Sequence, residues 1–287
     1  MWYNAVMESA RVKSYAKLNL TLNITGTRDG FHMLDSVVTS IDLYDLIVLK
    51  KRKDKLVSVT MRGQGSESIP FESNNAVKAA ESFIQAFDTN GADITVYKNI
   101  PMGLGAGGSS ADAAGVLNGL SKLYGVRDIA GLKMLADKSG SDTRYMLSGG
   151  YARLKGRGNE ISPIESKLKL NFLLLAPKEG VSTAECYKTF DTIGGAGGDS
   201  EKAERAIISG DKHSLAQALG NSLAPAAQSL LPDIKSAFEQ LKGFDPLAVN
   251  MTGSGSGVYA LFENAEFCAY AKSRYRGSFA AYCLKTK

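Results

Sequence analysis

The stretch IPMGLGAGGSSADAAGVL, Ile100 to Leu117, sets four glycines within the six positions Gly103 to Gly108 and follows them with two serines and a run of small residues. Each glycine costs backbone entropy on folding, so the cluster implies either a close approach of main chain to a ligand or a loose connector. The chemistry it suits is anion binding. Consecutive glycines let backbone N–H groups converge on one point, and a helix beginning at Ser109 aims its unpaired N–H groups and positive dipole end at the same place. The hydroxyls of Ser109 and Ser110 add donors. Two familiar phosphate motifs fit less well. Gly103, Gly105 and Gly108 satisfy G-x-G-x-x-G, but YKNIPM separates them from the apolar strand, and the segment after the helix reads as a second helix where a dinucleotide fold needs a strand. No Gly-Lys-Ser/Thr follows, which excludes a Walker A loop. A glycine linker capped by a serine stays open as the alternative. Ala111, Ala113, Ala114 and Gly115 speak against it, because small residues suit close helix packing on a rigid platform.

Such a loop needs a scaffold. From Ala16, AKLNLTLNI alternates: Ala16, Leu18, Leu20, Leu22 and Ile24 share one face, Lys17, Asn19, Thr21 and Asn23 the other, which predicts a half-buried strand. RDGFH (Arg28 to His32) supplies a glycine turn into further β structure over SVVTSIDLYDLIVLK, followed by the charged turn KKRKDK and the strand KLVSVTM. Asn74 to Phe87 has helical spacing, and ADITVYKNI is the strand that leads into the glycine loop. Helices follow over Ser109 to Tyr124 and about Asp128 to Lys138, the second closing at Gly140. GGYARLKG and NFLLLA read as strands, STAECYKTF, EKAERAII and DIKSAFEQL as helices. PLAVNMTGSGSGVYALF reads as strand, glycine turn, strand, and a helix over AEFCAYAKSRY precedes a last strand, FAAYCLK. GGAGGDS, Gly194 to Ser200, is expected to be a flexible loop. A boundary near Pro163 would give two α+β domains, 1–163 and 164–287, with mostly antiparallel sheets.

At 287 residues and 44% hydrophobic content the chain can bury a substantial core. With 34 Lys and Arg against 29 Asp and Glu, the net charge of +5 suits a polyanionic small ligand. It lacks the clustered stripe of a nucleic-acid binder. Cys186, Cys268 and Cys283 are odd in number and without CxxC spacing, which favours a reducing, cytoplasmic compartment and speaks against zinc. No apolar run approaches the ~20 residues that span a bilayer, and MWYNAVMESA lacks the layout of a signal peptide. Met7 offers a second start. Read alone, Lys17 is a solvated strand residue, Asp142 a helix N-cap, Asn75 a helix cap, and Phe31 and Tyr187 core aromatics.

The motifs together resemble a family. PMGLGAGGSSADAAGVL is similar to the second motif of the GHMP kinases, and YAKLNLTLNITGTRDGFHMLDSVVTSIDLYD to the N-terminal motif of one branch. SGSDTRYMLSGGYARLKGRGNE and MTGSGSGVYALF resemble the third and fourth segments, collinear from Tyr15 to about Phe262. The resemblance implies an α+β, two-domain GHMP kinase fold: a ribosomal protein S5 domain 2-like N-terminal domain with a left-handed β-α-β unit, and a ferredoxin-like C-terminal domain. It implies ATP as co-substrate and Mg2+ bridging its phosphates, with Ser110 a candidate ligand. Lys17 and Asp142 would act on the reacting hydroxyl, Asp142 accepting its proton late and Lys17 holding Asp142 and stabilising phosphoryl charge. Phosphates would lie over Gly103, Gly105, Gly107, Gly108, Ser109 and Ser110, with Asn75 and Lys98 near the adenine. The acceptor implied is a cytidine diphosphate-linked polyol, bound by Asn19, Phe31, His32, Thr183 and Tyr187, with Phe31 and Tyr187 on opposite sides of the cytosine and His32 on its edge. The turn TGSGSG, Thr252 to Gly257, would approach the substrate diphosphate. Arg144 stands where the family usually has Pro, and Ala106 where Leu is common. A GHMP kinase for another small alcohol, homoserine- or mevalonate-like, and a catalytically silent nucleotide-binding protein of this fold are the alternatives. Neither a nucleic-acid nor a membrane partner is expected.

Overall fold

The computed structural model describes residues 7–63, 66 and 69–287. Residues 1–6, the extension that a start at Met7 would leave, lie outside the described residues. The chain runs β1 (Ser9–Asn19), β2 (Thr21–Arg28), β3 (Phe31–Lys51), β4 (Val57–Arg62), α1 (Asn75–Phe87), β5 (Ala92–Tyr97), α2 (Gly108–Tyr124), α3 (Ile129–Ser139) and the single turn α4 (Thr143–Met146). It continues with β6 (Tyr151–Gly156), β7 (Glu160–Ile164), β8 (Asn171–Ala176), α5 (Thr183–Ile193), α6 (Ser200–Ser209), α7 (Lys212–Ala218), β9 (Gly220–Asn221) and α8 (Ala224–Leu230). Last come α9 (Pro232–Lys242), β10 (Ala248–Met251), β11 (Val258–Phe262), α10 (Ala265–Arg274) and β12 (Ala280–Lys285).

Residues gather into two compact units, each drawn from several parts of the chain. The first holds the chain through Ala16, Leu43–Ile100 and Gly108–Ser148. Here β5 pairs antiparallel with β3, Leu46 opposite Tyr97, and parallel with β4, Val57 opposite Ala92, so α1 is the crossover of a β-α-β unit. Asn74, not the neighbouring Asn75, caps α1 by accepting from the Ala76 N–H, and Asp128 caps α3 by accepting from Gly131; both are residue types that favour the N-cap. The apolar faces meet in a core that includes Ile47, Leu49, Phe83, Ile94, Val96, Leu117 and Leu120. A Cβ on Gly115 or Gly119 would lie 2.6 Å from Ile47 or 2.3 Å from Leu49, so α2 lies closer to β3 than any side chain would allow. The KKRKDK turn is solvated as expected, with Arg52 paired to Asp54 and Asp93, each at 2.7 Å.

The second unit holds Lys17–Asp42, Pro101–Gly107 and Gly149–Lys287. Its β2–β3 hairpin turns on Asp29 and Gly30, both at positive φ (51° and 75°), the twist-matched turn that Asp-Gly favours. The early part of β3 pairs antiparallel with β6, β6 with β7, and β2 runs parallel to the short β9. A separate sheet, in the order β10-β11-β8-β12, is antiparallel throughout and packs its Leu173, Leu175, Val258 and Ala260 against Ile234 and Leu241 of α9.

Two expectations need correction. The polar face of AKLNLTLNI is not solvated. The strand breaks at Leu20, and Lys17 and Asn19 are each 5% exposed and Thr21 0%. Alternation reports polarity, whereas burial depends on which faces another layer covers. Thr21 accepts from the Val37 N–H at 2.8 Å and its hydroxyl meets that of Ser200 at 2.7 Å. Nor is GGAGGDS a loose loop. A Cβ on Gly195, Gly197 or Gly198 would come within 2.0, 1.8 or 2.3 Å of the Ser222 carbonyl, Asn23 Oδ1 or the Ala218 carbonyl, so these glycines are there to let the main chain press close.

Candidate active site

The glycine loop is built rather than slack. Gly103, Gly105 and Gly107 all take positive φ (69°, 74° and 72°), alternating with Leu104 and Ala106, whose side chains are 2% and 1% exposed. Four successive carbonyls are claimed by donors of the second unit. Gly103 O accepts from Ser256 N (3.0 Å), Leu104 O from Gly257 N (3.0 Å), Gly105 O from Thr252 Oγ1 (3.2 Å) and Ala106 O from Lys17 N (3.1 Å). None of the N–H groups of 103–107 donates to a protein acceptor among the described residues. With the oxygens held inward and the N–H groups unspent, the loop can offer donors to an anion. A linker would have neither the buried Leu104 nor the captured carbonyls. TGSGSG is accordingly no plain turn: it supplies three of the four donors.

Lys17 lies in the same unit. Its ammonium donates to Asn19 Oδ1, which also accepts from Gly253 N (3.0 Å) and Thr252 Oγ1 (3.4 Å), while Asn19 Nδ2 donates to Ser36 Oγ (2.8 Å). Asn19, expected at the substrate, therefore uses both side-chain polar atoms inside the protein and orients Lys17. Thr183 opens α5, and its hydroxyl meets that of Ser254 at 3.0 Å. Tyr187 stands one turn on and packs its ring 4.7 Å from that of His32, whose Nε2 contacts Asp191 Oδ1 at 2.6 Å. Thr183, Tyr187 and Asp191 fall at i, i+4 and i+8, one stripe of α5, a spacing that could have flagged Asp191 from sequence. Phe31 points elsewhere, as the neighbour of His32 on a strand should. It is 48% exposed, with the Arg157 guanidinium 3.5 Å from its ring centre. The structure thus brings His32 and Tyr187 together and gives Phe31 to Arg157, a residue the sequence did not single out.

In the first unit, Gly108 begins α2, and the Ser109 hydroxyl accepts from Asn75 Nδ2 at 2.8 Å. Asn75 is free to reach it because Asn74, not Asn75, caps α1. A Cβ on Gly140 would stand 2.9 Å from both Ser110 Oγ and Thr143 Oγ1 and 3.2 Å from Asn75 Nδ2. The Thr143 hydroxyl is buried without a hydrogen-bond partner, a cost a protein tolerates where a ligand completes the set. Asp142 occupies the N-cap position of α4, yet its side chain makes no capping hydrogen bond. The cap reading of Asp142 therefore loses its main support. Arg144, in the place of the usual Pro, reaches back to Asp137 on α3 at 2.7 Å and clips the segment that carries Asp142. Lys98, expected near adenine, has its ammonium buried between Asp45 and Asp112. Gly140→Ala should push a methyl group into the Ser110–Thr143–Asn75 cluster. At about 1–3 kcal/mol for overpacking, KM for ATP is expected to rise roughly 5- to 150-fold. An unchanged KM in a folded variant would separate this cluster from nucleotide binding.

Comparison with known proteins places these features. The family profile described as GHMP kinases N terminal domain matches residues 74–150, and that of GHMP kinases C terminal matches residues 203–274. The chain is 37% identical over 258 residues to 4-diphosphocytidyl-2-C-methyl-D-erythritol kinase of Desulfitobacterium hafniense, covering 88% of this chain and 87% of that protein. It is 35% identical over 265 residues to the enzyme of the same name from Pelotomaculum thermopropionicum, covering 91% and 92%. A crystal structure of 4-(cytidine 5'-diphospho)-2C-methyl-D-erythritol kinase superposes with a TM-score of 0.80 at 26% identity, over 96% of this chain and 99% of that one.

Proposed function

We propose, for a chain that belongs to the 4-diphosphocytidyl-2-C-methyl-D-erythritol kinases of the GHMP kinase family, how its own residues divide the work of that enzyme. The protein is an ATP-dependent kinase that phosphorylates the 2-hydroxyl of 4-diphosphocytidyl-2-C-methyl-D-erythritol on the non-mevalonate route to isoprenoid precursors. The captured carbonyls of Gly103 to Ala106 carry the reading of the loop: the unspent N–H groups of this stretch, with Gly108 and the Ser109 and Ser110 hydroxyls at the start of α2, bind the ATP phosphates. The Ser110 and Thr143 hydroxyl oxygens around Gly140, the second of them unpartnered, fit a Mg2+ ion that takes most of its ligands from phosphate and water. Ser110 Oγ would hold that ion, which when bound neutralises phosphate charge. Phosphoryl transfer passes through a loose transition state in which the protein mainly positions groups and balances charge. Asp142 orients the 2-hydroxyl and takes its proton. Lys17, preset by Asn19, offers its ammonium to the phosphoryl oxygens.

For the cytosine, Tyr187 supplies a ring face and His32 reads the edge. With Nε2 engaged by the Asp191 carboxylate, His32 has Nδ1 left to meet the base edge. Cytosine has an amino donor where uracil has a carbonyl. Tyr187→Ala should weaken substrate binding by about 1–3 kcal/mol, by analogy with bases stacked on aromatic side chains. His32→Ala should lower the preference for the cytidine substrate over its uridine analogue, because an edge-reading site rejects ligands that leave its polar groups unpaired. The check is kcat/KM for both nucleotides in each folded variant; an undiminished preference removes His32 from base reading. The overall assignment is tested by incubating candidate alcohols with ATP and magnesium and scoring ADP release and product mass. Phosphorylation of homoserine or mevalonate, with the cytidine compound ignored, would overturn it.

A further inference from the structure

An ion triad lies buried in the first unit, outside the roles assigned above. Lys98 Nζ donates to Asp45 Oδ2 and, at 2.6 Å, to Asp112 Oδ2; the three side chains are 5%, 0% and 5% exposed. One cation faces two carboxylates. Burial pushes the Asp112 carboxyl upward against the pull of Lys98, with Asp45 adding to the rise, and Asp112 Oδ1 has no hydrogen-bond partner. For stability alone such a cluster is a poor investment, since apolar side chains of similar volume often do as well or better.

Its position supplies the missing reason. Asp45 Oδ1 accepts from the N–H groups of Asn99 (2.6 Å) and Ile100 (2.9 Å), the last two residues before Pro101–Gly107. Asp112 stands on α2 immediately after the loop, one turn past Gly108. A Cβ on Gly108 would itself lie 3.5 Å from Lys98 Nζ and 3.2 Å from Ile100, so both ends of the loop crowd around this ammonium. The flanks of the loop on both sides are thus held at the triad. We infer that Asp45, Lys98 and Asp112 are positioning residues that fix the separation of the two ends of the glycine loop and thereby set its affinity for the phosphates of ATP. The inference rests on the reading of that loop as the phosphate cradle.

The test is Asp112→Leu, which removes the tie at the loop's exit and leaves Lys98 and Asp45 as a one-to-one pair. Thermal stability should stay close to that of the parent protein. KM for ATP should rise by about tenfold or more while KM for the cytidine substrate changes less than about twofold, the pattern of one lost binding contribution. Asp112→Asn keeps an oxygen for Lys98 to donate to and should recover most of the ATP affinity. If Asp112→Leu does not fold, Lys98→Arg keeps the charge but alters the reach, and the same selective loss for ATP is expected. An unchanged KM for ATP in a folded variant, or an equal loss for both substrates with falling stability, overturns the inference. Gly107→Val, measured alongside, separates the two levels. If it abolishes ATP binding while the triad variants bind normally, only the inference fails. If it binds ATP normally, the loop is no cradle and both readings fail together.

Discussion

Asp142→Ala is expected to lower kcat by about 10²- to 10⁴-fold, the range a positioned general base contributes, while ATP still binds within a few-fold of the parent protein. The reasoning starts from the backbone. Asp142 stands at the N-cap of a single turn, where a carboxylate normally caps, yet it makes no capping bond. Removing it therefore sacrifices little of α4, whose Tyr145 and Met146 are buried in their own right. The Arg144–Asp137 clip also survives, so the segment keeps its course. The phosphate donors are main-chain N–H groups and the hydroxyls of Ser109 and Ser110, all of which Asp142→Ala leaves in place. Single-turnover phosphoryl transfer and calorimetric ATP binding on the same preparation give the two numbers. If both fall with thermal stability, Asp142 is a structural cap and the chemistry must be reassigned.

Lys17→Ala should cost about 10²- to 10³-fold in kcat, the loss measured when one preorganised donor to developing charge is removed. Its ammonium is buried and donates to Asn19 Oδ1, which two further donors hold in place. A lysine so restrained spends little reorganisation during the reaction, which is why the effect should fall on kcat more than on KM. The backbone N–H of residue 17 still reaches Ala106 O in the variant, so the loop keeps that support. Asn19→Ala provides the internal comparison. It leaves the ammonium but loosens its aim, and a smaller loss of kcat is expected. Equal KM and kcat in Lys17→Ala and the parent would remove the lysine from the mechanism.

Much of this was legible in the sequence because it is local. The Asp29–Gly30 turn, the small face of α2 and the glycine loop all announce themselves through residues within a few positions of each other. What stayed hidden depends on partners far along the chain. Lys17 and Asn19 read as a wet face because nothing in their neighbourhood reveals that Ser36, Thr252 and Gly253 will cover them. The resemblance put Lys98 near the adenine, and nothing local to Lys98 shows that Asp45, some fifty residues earlier, accepts from its ammonium. Phe31 read as one half of a base sandwich, since sequence records an aromatic but not that Arg157 will lie on its face. The flexibility expected of GGAGGDS failed for a related reason: glycine composition does not tell freedom from close approach.

The contact between the two glycine-rich stretches has an evolutionary consequence. A Cβ on Gly105 would lie 2.2 Å from the Thr252 carbonyl, and a Cβ on Gly253 would lie 2.6 Å from the Gly105 carbonyl. Each position is blocked by main chain of the opposite stretch, Gly105 by Thr252 and Gly255 and Gly253 by Gly105, so no change of side chain across the contact can make room. Compensating substitution, the usual way a packed pair drifts, is closed to both. Among descendants of this chain the two glycines should therefore be lost only together with the loop itself, and a lineage that has replaced either one should be read as having abandoned the phosphate site.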